Sequence, residues 1–119
     1  MKLSERIVFK FKNAINGIKT SMVEDRSIKV QVGFMVLAIL ISLLLKINTI
    51  DLIIVIIVSA LVVALEFINS SIELLSDFST DNKYSEVIKK VKDLSAAAVL
   101  VVSISALVVG IIIFSKYIF

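Results

Sequence analysis

The sequence predicts an all-α integral membrane protein: an N-terminal amphipathic surface helix followed by three transmembrane helices, in one domain spanning residues 1–119. Composition is the first reason. A mean hydropathy of +1.05 and 59% hydrophobic residues lie far above ordinary globular usage. The second is that three stretches, Val30–Leu45, Leu52–Leu65 and Leu94–Ser115, carry no charge at all. Third, the chain contains no proline and only three glycines, so nothing interrupts long helices.

Along residues 3–23, Ile7, Phe11, Ile15, Ile18 and Met22 recur at helical spacing, with Lys10, Asn13 and Lys19 between them. This pattern fits a helix lying on a membrane surface. It does not fit a signal peptide, whose apolar run would start earlier and end at a small-residue cleavage site. The first span is expected over 28–46. Its uncharged part has 16 residues, fewer than the roughly 20 that cross a hydrocarbon core, but Ile28 and a snorkelling Lys29 extend it. The second, over 50–72, reaches sufficient length only by continuing through Glu66. A carboxylate inside a span is costly and usually marks function. Thr49 is the expected N-cap of this span, with Asp51 near its positive end. The third covers 94–115, whose 22 uncharged residues suffice alone. All three are apolar all round, unlike the striped helices of a soluble bundle.

Lysine and arginine set the orientation. Seven precede the first span (Lys2, Arg6, Lys10, Lys12, Lys19, Arg26 and Lys29), and Lys83, Lys89, Lys90 and Lys92 lie between the second and third. Only Lys46 and Lys116 sit on the other side. The positive-inside rule places the N-terminus and the 78–93 loop in the cytoplasm. These basic residues interleave with acids and adjoin spans, which argues against nucleic-acid binding. With no cysteine and no histidine, thiol chemistry is excluded and a general base must be a carboxylate, lysine or tyrosine. Metal would meet oxygen ligands, favouring Mg²⁺ or Ca²⁺ over Zn²⁺. Gly17, Gly33 and Gly110 are scattered, so no glycine-rich phosphate loop is present.

The chemistry-bearing residues gather where the second span ends. At about 100° per residue, Asn69, Glu73 and Asp77 fall within about 60° of Glu66, making one stripe about 16 Å long. Ser70 borders it. Asp25, between Glu24 and Arg26, precedes the first span at the same interface, and Lys92 and Asp93 precede the third. Ser95-Ala96-Ala97-Ala98 allows close helix approach, bringing Lys92 and Asp93 towards the stripe. Each residue also has a plainer role: a solvated face for Asp77, a helix cap for Asp93, the positive-inside pattern for Lys92. Several carboxylates at one interface repel unless a cation joins them, and Mg²⁺ with phosphate oxygens would reconcile them. A lysine would then contact phosphate, and Glu66 would accept a proton from a hydroxyl. A transporter or proton relay using Glu66, and a non-enzymatic scaffold, are the competing classes.

At these residues the sequence resembles the small bacterial membrane kinases of the diacylglycerol kinase and undecaprenol kinase family. The resemblance rests on Glu66-x-x-Asn69-Ser70-x-Ile72-Glu73-x-x-x-Asp77, followed by Lys92-Asp93-x-Ser95-Ala96-Ala97, and covers nearly the whole chain. It implies an ATP-dependent lipid kinase of the bacterial cytoplasmic membrane, a homotrimer with active sites between protomers. Glu66 would match the catalytic base, and Glu73 and Asp25 the Mg²⁺ ligands. Asn69, Glu73, Asp77, Lys92, Asp93 and Lys29 would surround ATP. Asp25-Arg26-Ser27-Ile28-Lys29 resembles the family's Glu-Arg-Asn-Phe-Arg, with Asp25 one methylene shorter than the family's glutamate and Lys29 lacking the planar fork of arginine. This form is closer to the undecaprenol kinase branch than to the diacylglycerol branch.

Overall fold

A computed structural model describes the whole chain, Met1–Phe119. It contains four helices and no strand: α1 (Leu3–Glu24), α2 (Arg26–Leu44), α3 (Thr49–Thr80) and α4 (Glu86–Ile118). The last three are long and apolar enough to cross a membrane. α3 is the central element, packing against α4 on one side and α2 on the other, whereas α1 meets α2 near their shared joint. None of α1 is buried, so its apolar periodicity finds no partner within the chain and is free to face a bilayer surface.

The helices outrun the charge-free stretches. At about 1.5 Å per residue, the 32 residues of α3 extend well past a hydrocarbon core of about 30 Å. Its final turns therefore project from the membrane and carry Asn69, Glu73 and Asp77 with them. The loop expected over 78–93 shrinks to Asp81–Ser85. α3 stops because Asp81 and Asn82 turn into the left-handed region, with φ of 53° and 60°, a conformation that short polar side chains tolerate. α4 restarts because the Ser85 hydroxyl accepts the Ile88 N–H at 3.4 Å. Asn48, not Thr49, caps α3: its backbone is extended and its amide oxygen accepts the Asp51 N–H at 2.8 Å. Thr49 is already the first helical residue.

Only eight residues are buried, and four of them are polar: Ser42, Asp51, Glu66 and Ser76. A water-soluble bundle would reverse that balance. Here Leu37, Leu40, Ile57, Leu61, Leu100 and Ile104 are all exposed, which is stable where lipid is the solvent. Several hydroxyls inside the spans bond to their own helix, although Ser103 Oγ is buried without a partner. Ser42 donates to the Ala38 carbonyl at 2.7 Å and Ser59 to the Val55 carbonyl at 2.6 Å, as groups out of reach of water must.

Candidate active site

Asp25 forms the joint between the surface helix and the first span. Its backbone is extended and ends α1, while its Oδ1 accepts the Ile28 N–H at 3.1 Å and so caps α2. Its other oxygen, Oδ2, accepts the Ser70 hydroxyl of α3 at 2.5 Å. The Ser70 hydroxyl holds the Asp25 carboxyl below the usual carboxylate range. Partial burial opposes this, and the Ile28 and Ser27 N–H groups add to it. Asp25 is therefore an anion at neutral pH, and it ties the surface helix to the acidic stripe.

The stripe itself is present on α3. Glu66 is only 6% exposed. Asp25 and Glu73 are like charges close enough to act on it, and the Gln31 amide of α2 reaches towards its carboxylate. One turn on, the Asn69 amide nitrogen donates to Glu73 Oε1 at 3.4 Å, while Asn69 Oδ1 is buried without a partner. Glu73 is exposed. With Glu24, Asp25, Ser70 and Asp77 it lines a groove of about 660 Å³ between α1 and the projecting part of α3. Beyond Glu66, at bilayer depth, α2, α3 and α4 line an apolar cavity of about 550 Å³ that is open on one side, with Gln31, Phe34, Met35, Val62, Ser103 and Phe114 among its walls. Gln31 lines this cavity and also approaches Glu66. Along α3, Glu66 lies between Val62, which lines the cavity, and Phe67 and Ser70, which line the groove, and is itself on the wall of neither.

Lys92 joins the stripe through an ion pair with Asp77 Oδ1. Asp93 does not join it. Its carboxylate pairs with Lys89 at 2.7 Å, one turn back on the same exposed face. Nor does it cap the helix, because α4 begins at Glu86 and Asp93 already lies two turns inside. Lys29 is exposed and belongs to none of the three ion pairs of the chain. Sequence reasoning left Ser70 at the border and passed over Gln31. Ser70's partner lies 45 residues away, so no local pattern signals the bond. Gln31, the one amide in the uncharged run from Val30 to Leu45, where Ser42 is the only other polar side chain, carried the same kind of signal as Glu66.

The oxygen-only donor set suits a hard cation. No three acids gather closely enough to cage a cation alone. Glu73, Asp25 and the orphaned Asn69 Oδ1 nevertheless fit the usual Mg²⁺ mode, in which one or two carboxylates act together with substrate phosphates.

Among known proteins, the chain is similar to a diacylglycerol kinase of Synechocystis sp., with 28% identity over 109 residues. The match covers 92% of this chain and 62% of that relative, so the chain spans about three fifths of its length. The family model for prokaryotic diacylglycerol kinase matches residues 12–114. That range takes in the Asp25 joint, the whole α3 stripe and the Lys92–Asp77 pair, and the chain belongs to the prokaryotic diacylglycerol kinase family.

Proposed function

We propose that this chain is a lipid kinase that transfers the γ-phosphoryl group of ATP to the hydroxyl of a membrane lipid alcohol, diacylglycerol or undecaprenol. It would work at the cytoplasmic face of a bacterial cytoplasmic membrane. One observation carries the proposal: Glu66, nearly buried, lies on α3 between Val62, which lines an apolar cavity at bilayer depth, and Phe67 and Ser70, which line an acidic groove outside it. A lipid alcohol has the same division, with tails for the cavity and a hydroxyl at its edge.

Glu66 accepts the hydroxyl proton as the hydroxyl oxygen forms its bond to the γ-phosphorus and ADP departs. Gln31, on the facing helix, would orient the Glu66 carboxylate. Glu73, Asp25 and the Asn69 amide oxygen would hold Mg²⁺, which would supply positive charge against the phosphates that the acids would otherwise repel. Lys92, aimed by Asp77, and Lys29 supply positive charge to the phosphates. The family resemblance further implies a homotrimer in which a neighbouring protomer completes each site, and the exposed apolar sides of α2 and α4 leave room for such neighbours.

Purified protein incubated with labelled ATP, Mg²⁺ and each lipid alcohol tests the proposal, with phosphorylated lipid as the expected product. Glu73→Gln should abolish turnover in a folded, membrane-inserted protein. Asp25→Glu should retain or raise it, because Asp25 already spends one lone pair on the α2 cap and one on Ser70, and a longer side chain reaches further into the groove. Full turnover by Asp25→Ala would remove Asp25 from the metal site and leave it as the joint alone.

A further inference from the structure

A second polar cluster lies at the far end of the α3–α4 pair from the acidic groove, and the proposed chemistry uses none of it. Asp51, at the start of α3, is only 6% exposed. Its Oδ2 accepts the Tyr117 hydroxyl at 2.7 Å and Lys116 Nζ at 2.9 Å, both from the last turn of α4. The Tyr117 hydroxyl in turn accepts the Asn48 N–H at 3.0 Å, and Asn48 Oδ1 accepts the Asp51 N–H at 2.8 Å. The hydrogen bonds close a ring across the two helix ends.

Between this ring and the Lys92–Asp77 pair, α4 carries no charge after Asp93, its serines Ser95, Ser103 and Ser105 make no hydrogen bond to another helix, and Leu100, Val101 and Ile104 are exposed. Lipid tails are as apolar as those side chains, so along this stretch α4 is held against its neighbours by packing alone, with no polar bond to fix its rotation. Rotation matters, because Lys89, Lys90 and Lys92 occupy about one turn of α4. A roll of about 60° puts Lys89 where Lys92 stands. At about 100° per residue, Tyr117 lies within about 20° of Lys92, so both polar ends share one helix face. α4 runs without proline from Glu86 to Ile118, and a helix without a kink transmits a roll at one end to the other.

We propose that the Asn48–Asp51–Lys116–Tyr117 ring is a clamp that sets the rotation of α4 and thereby positions Lys92, rather than Lys89, against Asp77. Its consequence for catalysis rests on the proposed role of Lys92 at the phosphates; its structural effect does not.

The chain has no cysteine, so Leu75→Cys and Leu94→Cys, both at exposed positions, accept a single pair of spin labels. Distances are measured in lipid nanodiscs, with the labelled protein diluted into unlabelled protein. The clamped chain should give one narrow distance. Asp51→Asn combined with Tyr117→Phe should broaden it or add a second distance, and Tyr117→Phe alone, which keeps the ion pair, should fall between. The exchange Asp51→Lys with Lys116→Asp should restore the narrow distance. In unlabelled protein, the double variant should raise the apparent KM for ATP roughly fivefold or more, the scale of a typical coupling between sites. An unchanged distance in the folded double variant overturns the clamp. A broadened distance with an unchanged KM overturns its role in positioning Lys92. If the parent phosphorylates no lipid, the proposed function fails, while the distances still decide the clamp.

Discussion

Glu66 concentrates the chemical case in one side chain. It lies on α3 where apolar residues end and the polar stripe begins, and it is nearly closed off from solvent. An unpaired carboxylate there would be costly, and Gln31 offers it an amide. Glu66→Gln keeps size and hydrogen bonding but loses the ability to accept a proton. It is expected to lower lipid phosphorylation by roughly 10²-fold or more, the usual scale for a lost general base. The apparent affinity for ATP should change little. Glu66→Asp should fall between, because one methylene withdraws the carboxylate from the hydroxyl. Steady-state assays in mixed micelles at saturating ATP measure both, and turnover by Glu66→Gln within a few-fold of the parent would leave Glu66 a structural role.

Between helices, the projecting ends of α3 and α4 separate two neighbouring groups that a linear motif joins. Lys92 and Asp93 are adjacent in sequence, yet one helical residue turns about 100°. Lys92 therefore meets Asp77 on α3, while Asp93 faces away and meets Lys89. An exposed pair of the Lys89–Asp93 kind, screened by solvent, contributes little to stability. Within one protomer, Asp93→Asn should thus leave folding and ATP affinity almost unchanged, whereas Lys92→Met should raise the apparent KM for ATP. A large KM increase in Asp93→Asn would place Asp93 at the phosphates through a neighbouring protomer. The two variants, assayed side by side over a range of ATP concentrations, separate these cases.

For the whole molecule, charge placement and helix order define two polar ends separated by apolar helices. The acidic groove, the Asp25 joint and most lysines share one end, and the Asp51 ring occupies the other. Asp51 is a poor reporter of topology because its carboxylate is buried in that ring. Thr49 and Lys83 are exposed and lie at opposite ends. In intact cells, Thr49→Cys should react with an impermeant thiol reagent and Lys83→Cys should not. The opposite labelling would place the groove on the outer face, away from the supply of ATP.

Composition and periodicity were enough for the class of the fold, because both depend on a local property, the solvent each residue can tolerate. Apolar residues on all sides mean lipid, and apolar residues on one face mean a surface helix. The stripe from Glu66 to Asp77 was legible for a related reason: helical spacing alone puts those residues on one face. Helix ends were less legible. Asn48 and Ser85 cap where Thr49 and a later start were expected, since neighbouring polar residues are near-equivalent caps until backbone conformation selects one. Contacts between helices were beyond local reading. The Ser70–Asp25 bond, the Gln31–Glu66 approach, the pairing of Lys92 rather than Asp93 with the stripe, and the Asp51 ring all depend on how helices are rotated against one another. Helices that are apolar all round carry no pattern from which that rotation can be read, so only the packed tertiary structure decided it.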